Sequence, residues 1–177
     1  MILGLDVSTT ITGATILDDA GNIQFCEAWR MGNKRHFPDL LTKAKFIKNN
    51  FKQIKKENKI KHIYIEESLW AFQRGMSSAK TLLTLAKFNG IVSFAAYEVF
   101  GVQPQYFSAQ QARKKCGVPK REKGEDIKQI VLEHILDTEP KFTYTVTKHG
   151  NPQPGTYDRA DSLVIAKAGY ICQKSKS

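Results

Sequence analysis

The sequence predicts an α/β fold, a five-stranded mixed sheet flanked by helices on both faces, with residues 1–177 forming one domain. Three observations predict it. Three strand-like runs joined by tight turns open the chain, and strand-like runs then alternate with segments of helical period. Neither an internal repeat nor a linker long enough to divide the chain interrupts this order.

Residues 2–7 are an apolar run ending among Asp6, Ser8, Thr9 and Thr10, which suits a buried strand. Residues 12–17 and 22–29 read as two further strands, with the turn supplied by Asp18-Asp19-Ala20-Gly21-Asn22. Residues 37–58 are helical, because Leu40, Ala44, Ile47, Phe51 and Ile54 recur on one face. Residues 61–66 are the next strand, running into Glu66 and Glu67. A second long helix spans 77–100. It is apolar around much of its circumference, which predicts a central position or an interface.

Residues 102–107 give a short strand. Ser108 caps a helix that Gly117 stops. Residues 125–136 form another helix, 142–147 alternate in the manner of a strand, 150–155 are a Pro/Gly loop, and 156–172 make the final helix.

Composition narrows the function. No apolar run reaches the roughly 20 residues of a membrane span, and the basic leader of a signal peptide is missing. Cys26, Cys116 and Cys172 are odd in number and unpaired in spacing, which argues for a reducing compartment and against a zinc framework. An intracellular, soluble, cytoplasmic protein is expected. Lysine and arginine number 27 against 17 acids, a net charge of +10. Such an excess concentrates polyanions at the surface.

The strongest chemical signal is a set of acids from distant places. Asp6 ends the first strand and Glu66 the fourth, while Asp158 and Asp161 lie three apart at the start of the last helix and so share a face. Carboxylate oxygens suit Mg²⁺ or Mn²⁺. In two-metal phosphodiester chemistry such acids hold ions about 4 Å apart, one activating water and the other stabilising the leaving oxygen. Taken singly, each acid is more readily a turn residue, a cap or a dipole partner than a metal ligand.

Three motifs join these acids. Ile2-Leu3-Gly4-Leu5-Asp6-Val7-Ser8-Thr9-Thr10-Ile11-Thr12-Gly13, Tyr64-Ile65-Glu66-Glu67 and Tyr157-Asp158-Arg159-Ala160-Asp161-Ser162-Leu163 occur in the order found in RuvC-type Holliday junction resolvases. The chain resembles that family, its viral or phage branch above all, and the element order is that of an RNase H-like domain. The resemblance implies Asp6, Glu66, Asp158 and Asp161 as ligands for two divalent ions. It also implies a homodimer nicking opposed strands of a four-way junction, leaving 5′-phosphate and 3′-hydroxyl ends. The chain departs from the bacterial pattern at Val7-Ser8-Thr9 and in a longer segment at 141–156, so forks and flaps stay open as substrates. Two other classes stand beside this one. The opening motif is shared with actin-like and sugar-kinase ATPases, which need a second domain, and a non-catalytic branched-DNA-binding relative would keep the fold.

Candidate DNA contacts follow. Lys45, Lys48, Lys52, Lys55 and Lys56, extended by Lys59, form a stripe on the first helix that suits a phosphate backbone or a solvated face. Arg113, Lys114, Lys120 and Lys123 belong to two basic clusters near a helix start. The resemblance puts Arg113 and Lys123 beside the active site. In the loop after Glu66, Arg74 adds charge, and Trp70 and Phe72 offer stacking surfaces for unpaired bases. Core packing is the competing role for these aromatics, and Leu69 competes with them as the wedge at the branch.

Overall fold

A computed structural model describes residues 1–68 and 78–175. The sheet is made of β1 (Ile2–Asp6), β2 (Ile11–Leu17), β3 (Ile23–Arg30), β4 (His62–Glu66) and β5 (Gln105–Phe107), in the order β3-β2-β1-β4-β5. β1 pairs antiparallel with β2 and parallel with β4; β2–β3 is antiparallel and β4–β5 parallel. The helices are α1 (Leu40–Glu57), α2 (Ala79–Phe100), α3 (Ala109–Lys115), α4 (Ile127–Thr138) and α5 (Thr156–Lys174). This is the mixed five-stranded sheet that the sequence predicts. Among the described residues, no helix is long and apolar enough to cross a membrane.

Strand alternation decides which helix meets which residue. Leu3 and Leu5 of β1, Ala14 and Ile16 of β2 and Ile63 and Ile65 of β4 pack against α1 and α2, together with Phe51, Phe88 and Val92. The opposite parity faces α3, α4 and α5, where Ile2, Leu17 and Tyr64 join Leu132, Leu163 and Val164. Asp6 and Glu66 share the parity of Ile2 and Tyr64. The pleat therefore turns both acids toward α5.

α5 lies close over the sheet because small residues permit it. A β-carbon at Gly13 would collide with the Asp158 carbonyl, and one at Gly4 would sit 2.6 Å from the Ser162 carbonyl oxygen. Between them the buried Thr15 and Ser162 hydroxyls hydrogen-bond at 2.8 Å, so this polar pair in the seam is satisfied internally.

Caps set the helix starts. Asp39 accepts from Thr42 N at 2.7 Å, so α1 begins at Leu40 and not at Phe37. Ser78 caps α2 and Asp126 caps α4. Ser108 and Gln111 form a reciprocal capping box on α3, and Gly117 (φ 73°) follows it as its stop. One expectation fails. Residues 142–147 do not join the sheet; only Val146 is paired, in an isolated antiparallel bridge to Pro152. Alternation marks any half-buried extended segment, and here Phe142 alone is buried while its successors face water.

Candidate active site

β1 and β4 are parallel neighbours in register, Leu5 beside Ile65, so Asp6 and Glu66 leave the same edge of the sheet side by side. α5 brings its first turns to the same edge. Gly13 stands opposite Asp6 in the β1–β2 ladder and also abuts the Asp158 backbone, which ties Asp158 to Asp6 through one glycine. Asp161 follows on the same helix face. The acids that the sequence singles out therefore meet at one end of the sheet.

Their electrostatics express that meeting. Burial first, then the charges of Glu66, Asp161 and Asp158, hold the Asp6 carboxyl well above the usual carboxylate range. Glu66 is pushed up to about 7 by burial and by Asp161, against the pull of Arg113 and Lys128. Asp161 is raised by burial, with Arg113 and Lys128 opposing. Asp158, less enclosed, is raised by burial against its own backbone N–H, Lys128 and Arg30. Crowded carboxylates that resist ionisation are what a divalent cation relieves.

The donor set fits a hard divalent ion, being all carboxylate oxygen. Among the described residues, however, no three His, Cys, Asp or Glu side chains close around one point as a ready-made cage. The fit rests on the shared charge and the oxygen chemistry, and ligation would draw the side chains inward.

Three supporting residues escape a reading of the sequence. Asn89 of α2 is buried and donates through Nδ2 to the Glu66 carbonyl at 2.9 Å, while Ser93 Oγ donates to the Asn89 carbonyl at 2.7 Å. Asn89 lines an open cleft of about 220 Å³ together with Asp6, Ser8, Glu66 and Glu67. Lys128, on the first turn of α4, acts on all four carboxylates, and its ammonium lies 5.9 Å from the centre of the Tyr157 ring. Arg30, at the end of β3, bears on Asp158. A helical-face argument for α2 singles out apolar positions and passes over Asn89. The family pattern points to Lys123, whereas the lysine whose field spans the acids is Lys128.

Of the expected DNA contacts, Arg113 reaches the site, its Nη2 3.4 Å from Asp161 Oδ1 with both side chains largely buried. Lys114, Lys120 and Lys123 are exposed on α3 and the turns beyond it. Trp70, Phe72 and Arg74, with Leu69, lie outside the described residues. The lysine stripe on α1 is divided. Lys48 pairs with Glu98 at 2.7 Å and Lys55 donates to the Val99 carbonyl at 2.5 Å, so both engage α2, while Lys45, Lys52 and Lys59 are exposed.

Neither a protein-family model nor a curated protein sequence matches the chain. Solved structures do. RuvC of Thermus thermophilus in complex with a Holliday junction substrate superposes with a TM-score of 0.66 at 15% identity, over 98% of this chain and 94% of that one. Another T. thermophilus RuvC structure gives 0.63 at 16%, over 98% and 96%. The yeast mitochondrial Holliday junction resolvase Ydc2 gives 0.62 at 13%, over 98% and 78%. At such identities the likeness is one of fold, and the fold is RNase H-like in its RuvC form.

Proposed function

We propose that this chain, as one nuclease domain over residues 1–177, is a Mg²⁺- or Mn²⁺-dependent endonuclease that resolves Holliday junctions or other branched DNA. It acts inside the cell, in the cytoplasm, as a homodimer that makes paired nicks. The observation that carries the reading is the convergence of Asp6, Glu66, Asp158 and Asp161, in which the charges of the other three all raise the resistance of Asp6 to ionisation. Carboxylates gathered beside a polyanion repel it unless a cation intervenes, so a merely structural cluster at a DNA-binding surface is disfavoured.

In this reading the four acids would hold two divalent ions, and the chemistry such ions would supply is Lewis-acid charge and a more acidic water. Every other task falls to the chain. Asn89 fixes the end of β4 through the Glu66 carbonyl and so aims the Glu66 carboxylate. Arg113 holds Asp161 and presents a guanidinium beside the phosphate path. Lys128 offsets the negative field on approach of DNA. Lys114, Lys120 and Lys123 would carry backbone phosphates farther out, and Trp70, Phe72 and Arg74 would meet the branch itself. The homodimer is supported by α2, where Leu83, Phe94 and Tyr97 are 61%, 65% and 52% exposed along one helical stripe.

The test is incubation of the purified protein with a labelled four-way junction, a fork and a linear duplex, with Mg²⁺, Mn²⁺ or chelator. Symmetric nicks in the junction, lost in chelator, are expected. Equal cutting of linear duplex would remove the branch preference. Silence with both metals would remove the nuclease reading, and ATP hydrolysis in its place would support the ATPase class that the opening motif also suggests.

A further inference from the structure

Residues 141–155 stand next to the acid cluster, and nothing in the metal chemistry uses them. The segment leaves Phe142, which is buried, turns at Gly150 (φ 80°) and returns through Pro152 and Pro154 to Gly155 at the head of α5. It is an ordered hairpin. Thr147 N donates to the Asn151 carbonyl at 2.7 Å, Gln153 N to the Thr145 carbonyl at 3.0 Å and Gln153 Nε2 to the Val146 carbonyl at 3.3 Å. Its base is anchored twice. Arg30 donates to the Pro154 carbonyl, and Arg159 lies 4.8 Å over the Phe142 ring while donating to the Cys26 carbonyl at 3.1 Å.

What the hairpin shows to solvent is unlike an ordinary loop. Tyr144 and Val146, two apart and so on one side of an extended strand, are 36% and 53% exposed. Lys148 and His149 stand exposed at the tip. From residue 141 to residue 157 there is no Asp or Glu. Behind the base, a groove of about 310 Å³ runs along β3, lined by Arg30, Arg159, Thr145 and Gln153 and also by Glu27, whose carboxylate accepts from Trp29 Nε1 at 3.3 Å and leaves the two guanidiniums in excess. An acid-free element with two lysines, an aromatic ring and a guanidinium-lined groove complements a nucleic-acid strand in both charge and stacking surface. Only Thr156 and Tyr157 separate it from Asp158, so a strand whose phosphate reached the acids would pass it.

We propose that the 141–155 hairpin is a DNA-contacting arm. Tyr144 and Val146 pack on a base or sugar next to the branch, and Lys148 with the groove at Arg30, Thr145 and Gln153 takes phosphates flanking the cut. The inference rests on the nuclease reading above and adds an element that selects among branched substrates.

The experiment compares the unaltered full-length protein with a Tyr144→Ala/Val146→Ala double variant, with Lys148→Glu and with Tyr144→Phe. Fluorescence anisotropy on a labelled four-way junction without divalent metal gives affinity, and steady-state cutting with metal gives KM and kcat. The double variant should weaken junction binding about fivefold or more. Its KM should rise in step while kcat stays within about twofold. Lys148→Glu should lower the slope of log affinity against log salt by at least about one. Tyr144→Phe keeps the ring and should bind like the unaltered chain, which separates lost stacking from lost folding. Unchanged affinity, KM and substrate ranking in the double variant and in Lys148→Glu, with an active parent, would overturn the arm and leave the nuclease reading standing. A parent that neither binds nor cuts a junction would remove both. Altered oligomer size with unaltered DNA affinity would make the hairpin a protein contact and overturn the proposal.

Discussion

The two ends of the β1–β4 pair treat acids in opposite ways. Where these strands start, Asp19 receives the Met1 ammonium at 2.9 Å and Lys61 at 2.9 Å, and these partners lower its pKa to about 2. Where they end, Asp6 and Glu66 sit half-buried among other carboxylates, and desolvation and those charges raise both carboxyls above their usual range. The same residue chemistry is relaxed at one end and frustrated at the other. The comparison teaches that frustration, not the presence of an acid, marks the end proposed as the active site. Acids at the strand starts have their cations in the chain, while those at the strand ends have too few for their number.

The largest expected effect breaks the comparison outright. Asp6→Asn or Asp161→Asn should reduce cutting of a four-way junction to background in single-turnover assays while leaving junction binding intact. Asp19→Asn should leave cutting unchanged and lower the melting temperature only slightly, because its ion pairs are solvent-exposed. Loss of cutting from the Asp19 variant would erase the distinction between the ends.

A second measurement sharpens it. Glu66 binds its proton more tightly folded, with a pKa near 7, than unfolded, near the ordinary value of 4.5. The folded metal-free protein therefore holds more protons between those values, and its stability should fall as pH rises from about 4.5 to about 7. Denaturant titrations across that range should show the decline, saturating Mn²⁺ should flatten it, and Glu66→Gln should reduce it. A stability that rises with pH through this window would contradict the burial of Glu66. Smaller effects are expected at the supporting residue Asn89. Asn89→Ala should slow cutting about tenfold, as for groups that orient metal ligands, and should cost roughly 1–2 kcal/mol by removing a buried hydrogen bond.

Much of this was legible in the chain. The strands, the Ser108 cap with its Gly117 stop, and the four acids all declare themselves locally, through period, cap chemistry or motif. The acids' convergence is legible too, once β1 and β4 are taken as parallel neighbours. What stayed hidden depends on partners far away in sequence. Lys128 looks like any exposed helical lysine until α4 packs on α5, and Asn89 looks like a polar interruption until the Glu66 carbonyl arrives beneath it. The α1 stripe is divided for the same reason: the helical period cannot see that Lys48 and Lys55 answer to Glu98 and Val99. Residues 142–147 misled because alternation carries no information about whether an edge is there to pair with.

The contact between Gly13 and the backbone of Asp158 has a consequence of its own. It acts as a gauge block between sheet and helix, and its thickness is that of bare main chain. Because main chain has no rotamers, the gap it sets does not vary as the surrounding side chains repack. A single methyl group inserted there would jack α5 away from β2 and spread the acids, without touching one of them.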